Sequence, residues 1–93
     1  MDNYLKFSKE DAKFWLDLVY PLTIVADRYT GCYSGGRYVA YPCEFYEVDE
    51  AVAGEDGECM AFWEEFCGVV GRGNSYSEAF SDIVMKMKNI VER

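Results

Sequence analysis

Hydrophobic spacing divides the chain into stretches of different period. From Ser8 onward, apolar residues fall at Ala12, Trp15, Leu16 and Val19, the three-four spacing of one helix face, and Phe14 and Leu18 widen that face. Ser8 stands where a cap belongs, with Asp11 three residues on, and Pro21 closes the run, so the spacing predicts a helix over about residues 9–20. The pattern then changes to LTIVADRY, TGCYSGGR and YVAY, two β-branched and aromatic runs around a glycine-containing loop. It predicts two antiparallel strands, with Gly31, Gly35 and Gly36 permitting the reversal and Tyr29, Tyr33, Tyr38 and Tyr41 divided between core and surface.

The end of the chain is equally periodic. CGVVGRGN reads as a short strand leaving through glycines into Ser75-Tyr76-Ser77-Glu78, a capping box. The helix it starts carries a stripe of Ala79, Phe80, Ile83, Val84, Met87, Ile90 and Val91, with Lys86, Lys88 and Arg93 toward the end where the helix dipole favours cations. Between the two units the period is lost. VDEAVA suits one helical turn, GEDG suits a loop, and ECMAFWEEF suits either a short helix, with Cys59, Phe62, Trp63 and Phe66 on one side, or a strand. The order predicts an α+β fold: a small antiparallel sheet of about three strands, with an N-terminal and a C-terminal helix packed on one face. Ninety-three residues suit a single domain spanning 1–93 with one modest core.

Composition changes this picture in one place. From Tyr38 to Gly71 the chain has no Lys or Arg, yet it holds Glu44, Glu47, Asp49, Glu50, Glu55, Asp56, Glu58, Glu64 and Glu65, nine of its 17 acids. The net charge is -8, but 51% of residues are hydrophobic, which is enough apolar material to fold. Such a surface repels a bare nucleic-acid backbone and an anionic membrane, so direct contact with either is not expected. No basic start with an apolar run opens the sequence, and no window approaches a bilayer span; the expected location is the cytosol.

Candidate chemistry is sparse. Without histidine, Ser-His-Asp and Cys-His nucleophile arrangements are absent, leaving paired carboxylates as the one conceivable acid-base set, and no enzyme is expected. Cys32, Cys43, Cys59 and Cys67 form no CxxC pair; reduced, mostly buried thiols are expected in place of a zinc site or a disulfide. VDEAVAGEDGE lacks the calcium-loop spacing, and YSGGRY and GVVGRGNS match no phosphate-loop pattern, so no metal or cofactor is expected. The acids instead interleave with Tyr38, Tyr41, Phe45, Tyr46, Phe62 and Trp63. That mixture suits a protein surface lined with Arg and Lys, through ion pairs and cation–π contacts, with Tyr46 among the contact residues.

In size, in its base-free acidic run and in its lack of catalytic machinery, the chain resembles small acidic host-defence inhibitors of phages and mobile elements: anti-CRISPR proteins and antirestriction DNA mimics. The resemblance implies an inhibitor in the host cytosol. It would occupy the basic nucleic-acid groove of a host protein or ribonucleoprotein, a CRISPR effector foremost, with carboxylates standing where phosphates lie. A surface blocker that does not copy DNA fits the same residues. The last quarter, VVGRGNSYSEAFSDIVMKMKNIV, is similar to the strand-turn-helix segment of HicB-type antitoxins, and implies a toxin-neutralising or other protein-binding module as the alternative.

Overall fold

The computed structural model describes residues 4–93; the first three residues of the N-terminal stretch read above for a leader lie outside them. The elements run α1 (Lys9–Leu18), β1 (Thr23–Ala26), β2 (Tyr38–Tyr41), two 3-10 turns (Phe45–Glu47 and Glu50–Ala53), α2 (Asp56–Glu65), β3 (Gly71–Gly73) and α3 (Tyr76–Glu92). The fold is α+β, with an antiparallel sheet in the order β1-β2-β3 and a helix toward each end of the chain.

Helix α1 starts as its sequence requires. Ser8 Oγ accepts from the Asp11 N–H at 3.1 Å, satisfying one of the amides left over at a helix start. It ends at Val19, in the left-handed region at φ 50°, whose N–H donates to the Trp15 carbonyl. Ala12 and Trp15 are buried, but Phe14 and Leu18 are 68% and 58% exposed. At about 100° per residue they lie roughly 150° and 110° from the centre of the Ala12-Trp15-Leu16-Val19 face. They therefore do not widen the apolar face.

Strand β2 is the shared wall of two cores. Its alternation sends Tyr38 and Ala40 toward α1 and α3, where Ala12, Trp15, Ala79, Ile83, Met87 and Ile90 form one cluster. Val39 and Tyr41 face the other way, into a cluster of Cys43, Val52, Cys59, Trp63 and Val70. Each large side chain fully withdrawn from water contributes about 1.5–3 kcal/mol, so both faces of β2 stabilise the fold. Helices on a single face were expected. The second face is also covered, by the acidic segment: its first turn is Phe45–Glu47, VDEAVA supplies the second, and the helix through ECMAFWEEF begins already at Asp56, within the stretch that reads as a loop.

Strand β3 is GRG, one step beyond the apolar GVV. Val69 has left the sheet, its N–H donating to the Leu5 carbonyl at 2.8 Å. The glycines serve close packing. A Cβ on Gly71 would stand 2.2 Å from the Ala79 carbonyl oxygen, and one on Gly73 would stand 2.6 Å from the Ala79 nitrogen, so α3 lies directly on the strand. Arg72, between them, points to the opposite face. At the start of α3, Ser75 Oγ accepts from the Glu78 N–H at 3.1 Å, while the Glu78 carboxylate reaches back to Asn74 N–H and not to the cap residue itself. The expected cations at the helix end are partly engaged elsewhere: Lys86 pairs with Asp82 at 2.8 Å, and the last turn carries no base. In the hairpin loop Gly31 and Gly35 take positive φ, whereas Gly36 is pressed against Arg72 Cβ, where its own Cβ would meet it at 2.8 Å.

Candidate functional site: the acidic layer

Residues 42–66 pack across the sheet as a layer with an apolar underside and an acidic outer side. Val52, Cys59 and Trp63 are buried beneath it, with Val48, Phe62 and Phe66 packed at their margin. Trp63 meets Phe62 and Phe66 edge-on at 5.0 and 5.2 Å between ring centroids, and the Arg72 guanidinium lies over the Trp63 ring at 5.4 Å. The same side chain donates through Nε to the Ser34 carbonyl, so Arg72 ties β3 to the hairpin loop and to α2.

Short 3-10 turns leave many backbone groups unpaired. Side chains from the first half of the chain satisfy them. Tyr29 Oη donates to the Gly54 carbonyl at 2.6 Å, and Arg28 Nη1 donates to the Ala53 and Gly54 carbonyls at 2.7 and 3.0 Å. Tyr4 Oη donates to the Glu47 carbonyl and accepts from the Asp49 N–H, and Thr23 Oγ1 donates to the Cys43 carbonyl. Two carboxylates are held similarly: Glu44 Oε2 accepts from Tyr20 Oη at 2.9 Å and Asp56 Oδ1 from Tyr33 Oη at 3.1 Å. Those two bonds come first among the causes that raise the Tyr20 and Tyr33 phenols above their ordinary value. Burial raises Tyr4 to about 12.

The nine acids thus divide by role. Glu44 and Glu47 close a capping box around the first turn, Asp49 caps the second through the Ala51 N–H, and Asp56 takes the Tyr33 hydroxyl. Glu50, Glu55, Glu58, Glu64 and Glu65 are exposed and make no side-chain hydrogen bond or ion pair among the described residues, where the only ion pair is Asp82–Lys86. These five are available to a partner.

They fall into separate neighbourhoods. A cleft of about 400 Å³ opens between the end of β1 and the two turns, lined by Val25, Tyr41, Val48 and Val52 within and by Asp27, Arg28, Phe45, Tyr46, Asp49 and Glu50 around it. A second depression joins Asp49 and Glu65 to Tyr4, Phe62 and Lys6, so a base borders the acidic face there. Glu58 stands beside Gly54, and Glu64 lies apart on the outer side of α2. Tyr46 is 81% exposed, as a contact residue must be, and so is its neighbour Phe45 at 75%, which the sequence reading did not select. Two successive aromatics between acids in an aperiodic stretch were the signal. Tyr20, also exposed, joins them through Glu44.

All four cysteines are free thiols. Cys43 and Cys59 are buried, but Cys32 and Cys67 are exposed, so burial holds for half of them. Burial pushes Cys43 up to about 11, and raises Cys59 as well. Among the described residues no three His, Cys, Asp or Glu side chains converge as a metal cage requires, and no helix is long and apolar enough to cross a membrane. No protein-family model, curated protein or solved structure matches the chain.

Proposed function

We propose that this protein is a host-defence inhibitor of the anti-CRISPR type, which uses its acidic layer to cover a basic nucleic-acid-binding surface of a nuclease complex. The observation that carries the reading is the division of the layer. One side is locked into the core, and the other holds five carboxylates without partners of their own, one of them, Glu50, beside the exposed Phe45 and Tyr46. Nucleic-acid grooves draw much of their affinity from a salt-dependent electrostatic term that a fixed carboxylate array can imitate or obstruct. The capped turns hold the backbone under the array, so the ordering cost of binding falls on the glutamate side chains and not on the chain that carries them. The antitoxin alternative rests on β3, Ser75 and α3, whose glycines are already accounted for by helix–strand packing, and it has no observation of its own.

A pull-down against purified nuclease effector complexes, followed by competition with their target DNA, tests the proposal. Retention should fall steeply between low and high salt and on Glu58→Lys, Glu64→Lys and Glu65→Lys together. If no complex is retained, or if the triple variant inhibits as the parent does, the reading is wrong.

A further inference from the structure

The two edges of the sheet are closed differently. Antiparallel strands alternate between residues that bond to the neighbour and residues that turn their N–H and C=O away. Asp27 N–H donates to the Arg37 carbonyl at 2.7 Å, which fixes the phase: Thr23, Val25 and Asp27 bond toward β2, and Ile24 and Ala26 face outward. On β3 the outward residue is Arg72. Its N–H is taken by Asp82 Oδ2 at 2.8 Å, and Lys86, paired with that carboxylate, donates to the Val70 carbonyl at 2.9 Å. Helix α3 has sealed that edge. Among the described residues nothing bonds the outward N–H and C=O groups of Ile24 and Ala26.

An unpaired edge is a template for another strand. We propose that β1 is a docking edge that takes an extended segment of the partner as a fourth strand, with an Arg or Lys of that segment seated in the cleft beside it. The inference rests on the reading of this protein as a binder of basic surfaces and names how the contact is made. In a sheet, residues side by side on neighbouring strands project to the same face. The residue docked beside Val25 therefore enters the approximately 400 Å³ cleft over Val25 and Tyr41, while its neighbours, beside Ile24 and Ala26, turn to the opposite face.

The cleft suits a long basic side chain. Val25, Val48 and Val52 meet its apolar stem, and around the head group stand the unengaged Glu50, then Asp27 and Asp49, each with one oxygen already accepting backbone N–H groups, against one guanidinium, Arg28, whose Nη1 is engaged by Ala53 and Gly54. Phe45 and Tyr46 add exposed aromatic rings to the lining, of the kind that attracts a cationic head group. A second copy of the chain would instead bring another net charge of -8 to the same edge, and charge repulsion opposes it. Strand pairing supplies affinity along the backbone and the cleft supplies selectivity, the division of labour seen when peptides add to sheet edges.

The test titrates two synthetic probes into isotopically labelled protein: an end-capped octapeptide alternating arginine and valine, and a twin N-methylated at its valines, the residues whose N–H would meet β1. The plain peptide should protect the Ile24 and Ala26 amides from exchange and bind about tenfold or more tightly than the twin, a difference of about 1.4 kcal/mol. Ala26→Pro, which removes an N–H unused within the fold, and Glu50→Lys should each weaken it similarly. If Ala26→Pro fails to fold, the twin carries the comparison. Equal binding of the two peptides overturns the proposal. So does Ile24 and Ala26 protection that rises with protein concentration alone, which would make a second copy the occupant. Retention of a nuclease complex by parent, Ala26→Pro and Glu50→Lys alike removes the docking edge and leaves the host-defence reading. Protected Ile24 and Ala26 amides with no complex retained do the reverse.

Discussion

Alanine at Gly71 and alanine at Gly57 are the same chemical change with opposite expected signs. At Gly71 the new Cβ stands 2.2 Å from the Ala79 carbonyl oxygen and 2.7 Å from the Ile83 nitrogen, where ordinary contact begins at 3.4 Å. Both atoms are backbone, so no rotamer relieves the clash, and α3 must retreat by roughly 1.2 Å (3.4 − 2.2). A gap of about 0.5–1 Å forfeits a quarter to a half of the dispersion well. Applied to the burial of Ala79, Ile83 and Met87, together on the order of 6 kcal/mol, this gives a loss of about 1.5–3 kcal/mol. At a slope of about 1–1.5 kcal/mol per M urea, the midpoint should fall by about 1–3 M. A Cβ on Gly57 meets nothing within 4 Å and lies in the first turn of α2, so alanine there should raise stability by up to about 0.5 kcal/mol through helix propensity alone. Urea unfolding followed by far-ultraviolet dichroism and tryptophan fluorescence measures both, with an unchanged slope confirming that the same transition is observed. A Gly71→Ala protein within about 0.5 kcal/mol of the parent would refute the direct seating of α3 on β3.

Three further outcomes follow from the same contacts. Partial burial opposes ionisation of Asp82, but the Lys86 ammonium and the Arg72 N–H outweigh it and hold its carboxyl below the ordinary value; its stabilisation is complete above the unfolded value of about 4 and lost as pH falls through the lower folded one, so the urea-midpoint gap between parent and Asp82→Asn should shrink below about pH 4. Iodoacetamide at pH 8 should modify Cys32 and Cys67 in the native protein and all four thiols in urea, since Cys43 and Cys59 are buried and their thiols raised; rapid native labelling of Cys59 would contradict the seating of α2. The hydroxyl donor from Tyr33 has a raised folded value, so its contribution is present below about pH 10 and lost as pH rises through the folded value; because Tyr33 packs on the Trp63 cluster, its ionisation should alter Trp63 fluorescence, read in a Trp15→Phe protein, and Tyr33→Phe should remove that change.

The parts legible in the sequence are those stabilised by near neighbours along the chain. Ser8 and Ser75 announce their helices because a cap and its amide are three residues apart, and the stripe from Ala79 to Ile90 repeats over several turns. The strands of the hairpin are readable for the same reason. The acidic layer is illegible by period because its turns are held from afar: Tyr29 and Arg28 reach across 25 and 26 residues to Gly54, and Tyr4 across 43 to Glu47. Helix α2 buries only Cys59 and Trp63, too few positions to set a period against a strand. At Phe14 and Leu18, apolar composition points to burial where helix angle forbids it. For the candidate site, the charge sign was readable, but the cleft and the exposure of Phe45 and Tyr46 depend on how β1 and the two turns meet in space.

The two-sided build of the acidic layer separates what must stay fixed from what is free to vary. Val52, Cys59 and Trp63 answer to the interior, and changes there disturb every contact beneath the sheet. Glu50, Glu55, Glu58, Glu64 and Glu65 answer only to solvent and to whatever docks, and substitutions at such positions typically shift stability by about 0.5 kcal/mol or less. A protein built this way can change its outer surface, one exposed position at a time, while its fold stays as it is.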